Sequence, residues 1–361
     1  MIPVTILTGF LGSGKTTLLK RILNDKHGMK IAVIENEFGE ENIDNEILVQ
    51  ETNEQIIQMS NGCICCTIRG DLARALEDLA ERKKAGTLNF DRVVIETTGL
   101  ANPGPVAQTF FMDNTIADEF LLDAIITLVD AKHANHQLDE HEVVQRQVGF
   151  ADRLFITKSD LVDAATLDAL KHRLVHMNPR AAIKVVNFGD ADIKEIFDLR
   201  GFNLNSKLEI DPDFLAEDDH AHDHDHAGHD HAHDDDHDHA TCGHDHSHDH
   251  EHGHANHHHA HHDDKIKSFV FRSDRAFDPN RLEDFLGGIL QIYGERLLRY
   301  KGVLYMKGVD RKVVFQGVHQ MMGSDLAAKW QPIEKKNSKM VFIGIELPQD
   351  LIIDGLTACL V

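Results

Sequence analysis

The 361-residue sequence contains no apolar run approaching eighteen uninterrupted residues, and its N-terminus carries no basic leader ahead of an apolar core. The first absence argues against a membrane-spanning helix and the second against a secretory signal, so a soluble, cytoplasmic protein is expected. Cysteine is scarce. Of five, three crowd into Cys63-Ile64-Cys65-Cys66, an odd set at spacings that do not suit a disulfide framework. Clustered basic residues are also lacking. Asp and Glu outnumber Lys and Arg by 60 to 37, and no basic patch offers the phosphate contacts that a nucleic acid requires. Neither nucleic acid nor membrane is therefore expected as a partner.

The acidity is itself unevenly spread. Of the formal net charge of −23, −15 falls between Glu217 and Asp264, where no Lys or Arg occurs, which leaves −8 for everything else. From His220 to His262 the same segment holds 20 of the 27 histidines, interleaved with Asp and with Cys242. Such a stretch cannot bury enough apolar surface to order itself. Neutral imidazoles are, however, good ligands for Zn²⁺, Ni²⁺, Co²⁺ and Cu²⁺. Many weak, degenerate sites that collect or buffer ions are expected; a linker with incidental affinity is the alternative.

Outside this insert the hydrophobic pattern is rich. Strand-length apolar runs occur at Val4 to Leu7, Lys30 to Ile34, Gln55 to Met59, Arg92 to Ile95, Ala124 to Val129, Arg153 to Ile156 and Ile183 to Val186. Most are continuous, as strands buried on both faces are. Helical patterns such as Asp71 to Lys83, Val143 to Val148 and Ala165 to His176 lie between them. Strand alternating with helix predicts an α/β fold with a doubly wound, mostly parallel sheet over residues 1–205. After the insert, 206–264, the pattern of strand, helix, three strands and helix predicts a smaller α+β domain over 265–361. His319, Tyr293 and Trp330 in that domain read as packing or surface residues and are assigned no role.

The strongest chemical signal is at the start. The run ending at Leu7 leads into Thr8-Gly9-Phe10-Leu11-Gly12-Ser13-Gly14-Lys15-Thr16-Thr17 and then into a helical pattern. Gly9, Gly14, Lys15 and Thr16 fit G-x-x-x-x-G-K-[ST] in the strand–loop–helix context a P-loop requires. Gly9, Gly12 and Gly14 let backbone N–H groups turn toward phosphate oxygens, with Ser13 and Thr17 in the same cradle. Lys15 reaches the β/γ-phosphates and Thr16 ligates Mg²⁺. A second element, Arg92 to Glu96 followed by Thr97-Thr98-Gly99, reads as a Walker B strand entering a γ-phosphate loop. Glu96 stands where it could orient the Mg²⁺ shell or the attacking water. A third, Thr157-Lys158-Ser159-Asp160, is similar to the NKxD guanine-recognition motif with Thr for Asn. A carboxylate at Asp160 can accept from both N1–H and N2–H₂ of guanine, and Lys158 can lay its stem along the base. Alone, Ser159-Asp160 would read as a helix cap; after a P-loop, GTP is the better reading.

The thiolate cluster lies in sequence between the P-loop and the Walker B strand. Three thiolates within four residues, Cys63, Cys65 and Cys66, can converge on one soft or borderline ion, and Zn²⁺ needs a fourth ligand from elsewhere or from water. Glu35, at the end of the second apolar run, is a candidate oxygen ligand. Asp44, in the polar stretch that follows, is a candidate γ-phosphate or Mg²⁺ contact in a switch segment.

Together, the P-loop, Glu35-Asn36-Glu37-Phe38-Gly39-Glu40, Asn61-Gly62-Cys63-Ile64-Cys65-Cys66 and Glu96-Thr97-Thr98-Gly99 resemble the CobW-type P-loop GTPases. The likeness spans the chain apart from the insert, and Cys-x-Cys-Cys within a GTPase is its most specific mark. The resemblance implies a GTPase domain joined to a CobW C-terminal domain in a metallochaperone. Its residues would be Gly12 to Thr17 for phosphates and Mg²⁺, Lys158 and Asp160 for guanine, Glu96 for hydrolysis and the three cysteines for cargo. Zinc suits the ligands; cobalt, for cobalamin synthesis or nitrile hydratase, fits the same set. The expected function is GTP-driven transfer of the ion to a client metalloprotein, with metal storage by the His tract and a small-molecule kinase as alternatives from other classes. Oligomeric state is left open.

Overall fold

A computed structural model describes residues 1–35, 56–58, 68–202 and 264–361. Among these residues there are two sheets, the first of seven strands: β1 (Ile2–Gly9), β2 (Ile31–Glu35), β3 (Ile56–Gln58), β4 (Arg92–Glu96), β5 (Phe120–Asp130), β6 (Arg153–Thr157) and β7 (Ala182–Val185). Their order is β3-β2-β4-β1-β5-β6-β7, and every pairing is parallel. Each corresponds to one of the seven apolar runs. The runs are continuous because both faces are covered. Val4, Ile6, Val93 and Ile95 pack in one core, while Leu7, Val94 and Ile126 pack on the other side with Leu18, Leu19 and Ile22 of α1 (Lys15–Asn24).

The remaining helices of this layer are α2 (Ile68–Lys84), α3 (Pro103–Met112), α4 (Asn114–Glu119), α5 (Ala134–Glu140), α6 (Glu142–Phe150) and α7 (Ala164–Met177). The patterns at Asp71, Val143 and Ala165 are α2, α6 and α7. Helices α3, α4 and α5 escaped the periodicity reading for two reasons. Helix α3 is apolar with little contrast between faces and starts from a local cap, Asn102 accepting from Gly104 N at 3.0 Å ahead of Pro103. Helices α4 and α5 are too short to show a period.

The C-terminal sheet is antiparallel, in the order β11-β10-β9-β12-β8, built from β8 (Ile266–Ser273), β9 (Leu297–Leu304), β10 (Arg311–Val318), β11 (Met321–Lys329) and β12 (Ser338–Ile345). Helices α8 (Pro279–Tyr293) and α9 (Gln349–Ala358) pack on it around Phe271, Leu286, Tyr300, Phe342 and Leu356. Two expectations need correction. Strand β9 begins at Leu297, ahead of the apolar stretch Val303 to Met306 by which the sequence marks it, because buried Arg299 and Lys301 interrupt its apolar run. Strand β11 was not expected at all, since it is an edge strand with little buried surface and hence no hydrophobic pattern.

The two sheets share an interface held by buried charge. Arg299 donates to Phe150 O at 3.0 Å and Gly201 O at 2.9 Å, and lies 2.7 Å from Asp152. Arg173 of α7 is held by both oxygens of Asp264, at 2.6 and 3.0 Å. Asp264, counted by composition as the last residue of the insert, is thus a buried structural partner. Among the described residues no helix is long and apolar enough to cross a membrane.

Candidate nucleotide site

The loop from Gly9 to Gly14 joins the end of β1 to the N-terminus of α1, the crevice where open α/β sheets bind ligands. Gly9 has φ +140°, and a Cβ there would stand 2.5 Å from Leu128 O, so only glycine fits. Ser13 N donates to Phe10 O at 3.1 Å, closing the turn that contains Gly12. Gly14 caps α1 in the left-handed region with no side-chain cap and no acidic residue in the first turn, which leaves the helix N-terminus suited to an anion. Ser13 Oγ is buried without a hydrogen-bond partner among the described residues. Such an orphaned donor inside a glycine cradle fits a phosphate oxygen.

Lys15 folds over the loop, its Nζ donating to Gly9 O at 2.8 Å and Phe10 O at 3.2 Å. Burial pushes its pKa down, and the Glu96 carboxylate opposes that shift. Thr16 Oγ1 donates to Glu96 Oε1 at 3.1 Å, so the two expected Mg²⁺-side residues meet. An all-oxygen donor pair of this kind fits Mg²⁺. Thr97, the next residue, is fixed by Leu7 O and by Thr8 Oγ1, at 3.0 and 2.8 Å. Gly99 follows at a close approach: a Cβ would lie 2.6 Å from Leu11 N, so the loop that follows β4 rests on the P-loop backbone.

The base end is a cavity of about 300 Å³ lined by Ser13, Thr17, Lys158, Asp160, Leu161 and Phe188, among others. Lys158 and Asp160, read from the NKxD-like motif, both reach it. Thr157 explains the departure from that motif: its Oγ1 donates to Ser13 O at 2.8 Å and ties β6 to the P-loop. Three residues here were missed. Asp130, at the end of β5, accepts from Lys158 Nζ at 2.7 Å and faces His133 Nδ1 at 3.0 Å. Burial opposes its ionisation, yet Lys158 and His133 hold its carboxyl below the usual range. It was legible in principle, being a carboxylate that ends an apolar strand as Glu96 does. Asn187 and Phe188 had no such signal. Asn187 Oδ1 accepts from Ser159 N at 3.0 Å, and Phe188 sits at the lip with φ +55° and 81% exposure.

On the metal side, Glu35 is buried at the end of β2, in register with Gln58 on one flank and Glu96 on the other. Cys63, Cys65, Cys66 and Asp44 lie outside the described residues, as does the insert from 206 to 263. Among the described residues no group of three His, Cys, Asp or Glu could hold a metal ion.

Comparison with known proteins agrees with this geometry. Residues 3–185 match the CobW/HypB/UreG nucleotide-binding domain, and residues 266–360 match the cobalamin synthesis protein CobW C-terminal domain. The chain belongs to the CobW family. The zinc chaperone YjiA of Escherichia coli is 38% identical over 352 residues, covering 97% of this chain and 96% of that one. The crystal structure of the Zn(II)-bound YjiA GTPase superposes with a TM-score of 0.72 at 34% identity, covering 99% of this chain and 98% of that one. The zinc-regulated GTPase metalloprotein activator 1 of Schizosaccharomyces pombe is 39% identical over 208 residues, 56% of this chain and 50% of its own. Family membership accounts for both halves of the architecture.

Proposed function

We propose that this protein hydrolyses GTP in the cytoplasm and uses the cycle to hold zinc and release it to a client metalloprotein. The observation that carries the reading is the register of β2 and β4. Glu35, the candidate metal ligand, stands directly beside Glu96, the carboxylate that accepts from Thr16 of the P-loop. A site built on one carboxylate therefore adjoins a site built on the other. The names of the zinc chaperone and of the zinc-regulated activator among its relatives support zinc as cargo and a metalloprotein as recipient.

In this reading the glycine cradle, Ser13 and the α1 N-terminus receive the phosphates, and Lys15 exchanges its two loop carbonyls for β/γ-phosphate oxygens. Mg²⁺ held by Thr16, with Glu96 behind it, would neutralise charge developing on those oxygens. Glu96 also stands where it can orient water, and Asp160 with Lys158 selects guanine. Cys63, Cys65 and Cys66 with Glu35 hold the cargo, and Asp44 senses the γ-phosphate. Zinc transfer to a chromogenic chelator tests this. Release should quicken with GTP and stay slow with a non-hydrolysable analogue; equal release in both, or with no nucleotide, contradicts the reading.

A further inference from the structure

Helix α6 touches the nucleotide site with one residue and the C-terminal domain with several. Gln147 is fully buried, and its Nε2 donates to Gly99 O at 3.1 Å and Ala101 O at 3.0 Å. These are carbonyls of the loop that rests on the P-loop through Gly99 and runs on to Asn102. Thr97 Oγ1 donates to the neighbouring Thr98 O at 3.3 Å, and Asn102 caps its own helix; Gln147 reaches this backbone from a separate element of the fold. Gln147 Oε1, equally buried, has no hydrogen-bond partner among the described residues. A buried acceptor is rarely left unsatisfied, and a loop amide turned toward Gln147 would satisfy it.

The rest of α6 is clamped to the C-terminal domain. Gln145 Oε1 accepts from Lys265 N and Ile266 N at 3.0 and 3.2 Å. Phe150 O accepts from Arg299. Gly149 lies so close to β9 that a Cβ would stand 2.7 Å from Leu298 Cδ1. Asn102 and Arg146 also line a cleft of about 640 Å³ between the domains, with Arg296 and His319 opposite. The loop, the helix and the domain face thus form one contiguous contact.

We propose that Gln147 is a positioning residue through which the C-terminal domain sets the conformation of residues 98–102 and, with it, the rate of GTP hydrolysis. It does not line the base cavity, and it acts through the loop carbonyls it holds. The effect on hydrolysis rests on the GTPase reading above; the effect on the loop does not.

The test uses the full chain and the variant Gln147→Leu, which keeps the volume and removes the donor. Amide hydrogen exchange should rise at least about tenfold over residues 98–102 while the amides of 9–14 hold. In turnover, kcat should fall about tenfold or more, with KM for GTP and GDP affinity within about twofold, because the P-loop and base cavity are untouched. Gly149→Ala, which crowds Leu298 Cδ1, Ile266 Cγ2 and Ile343 Cγ2 of the C-terminal domain, should lower kcat in the wild-type background and add little to Gln147→Leu, the non-additivity expected of one shared path. Unchanged exchange at 98–102 overturns the inference, as does a parallel loss of kcat, GDP affinity and melting temperature, which would mean a purely structural glutamine. Wild-type protein that binds GTP and never turns it over would sink the GTPase reading instead, and the exchange result alone would then decide whether Gln147 positions the loop.

Discussion

The two sheets use polar residues in opposite places. In the parallel sheet both faces are covered, so strand interiors are mainly apolar, with Thr5, Asp123 and Thr127 as buried structural exceptions, and most other polar residues gather at the C-terminal ends: Thr8, Glu35, Glu96, Asp130 and Thr157. In the antiparallel sheet, Arg299 and Lys301 are buried in mid-strand, and Arg299 is spent on docking the domain. Position along a strand thus separates ligand handling from assembly. A polar residue at a parallel strand's end faces the crevice, whereas a buried cation in mid-strand needs a protein partner of its own.

That contrast can be broken by substitution. The largest effect is expected at the phosphate end: Lys15→Ala should cut kcat/KM for GTP by roughly 10³, about 4 kcal/mol of transition-state stabilisation, and move the melting temperature by less than about 2 °C. A comparable loss of stability would show that Lys15 serves the fold. Arg299→Met should do the reverse. Removing one partner of a buried pair costs about 3 kcal/mol, the low end of its range because Arg180 remains 4.0 Å from Asp152. Urea unfolding should show that loss while GDP still binds.

Smaller effects sharpen the comparison. Asp160→Ala removes a charged acceptor worth about 2 kcal/mol, so the preference for GTP over ATP should drop roughly 30-fold in competition binding, with phosphate contacts intact. An unchanged preference would return Ser159-Asp160 to the role of a cap. The smallest effect concerns His319, buried at the interface beside Phe150 and near Arg146, Glu295 and Arg296. Burial lowers its pKa from the ordinary 6.5, with Arg146 acting in the same direction. The unfolded chain therefore takes up the proton first. The stability this histidine supports is fully present above pH 6.5 and is lost as the pH falls from there through the folded value. Melting temperature followed from pH 7.5 to 5.5 should fall more steeply for the wild type than for His319→Gln.

Much of this was legible in the sequence, for a physical reason. Continuous apolar runs betray strands buried on two faces, and the motif spacings anticipated that Lys15, Thr16, Glu96, Lys158 and Asp160 stand around one crevice. Thr157 looked like a weakness in the guanine motif until its hydroxyl was seen to hold Ser13 O. What stayed hidden depends on contacts distant in sequence. Arg299 broke the pattern of β9 because its partners Asp152 and Gly201 lie about a hundred or more residues away. Gln147 reads as an ordinary helical glutamine until the fold brings Gly99 to it. Strand β11, with little to bury, left no trace to read.

The central claim is that the zinc and nucleotide sites are coupled across neighbouring strand ends. The most direct measurement is GTP hydrolysis titrated with zinc, in protein lacking residues 217–262, a deletion that keeps the buried Asp264–Arg173 pair, and in the same protein with Cys63, Cys65 and Cys66 changed to serine. A rate that responds to one equivalent of zinc, and a serine variant blind to it, is the predicted result. A rate indifferent to zinc in both proteins would contradict the coupling and leave the histidine tract as the chain's principal metal site.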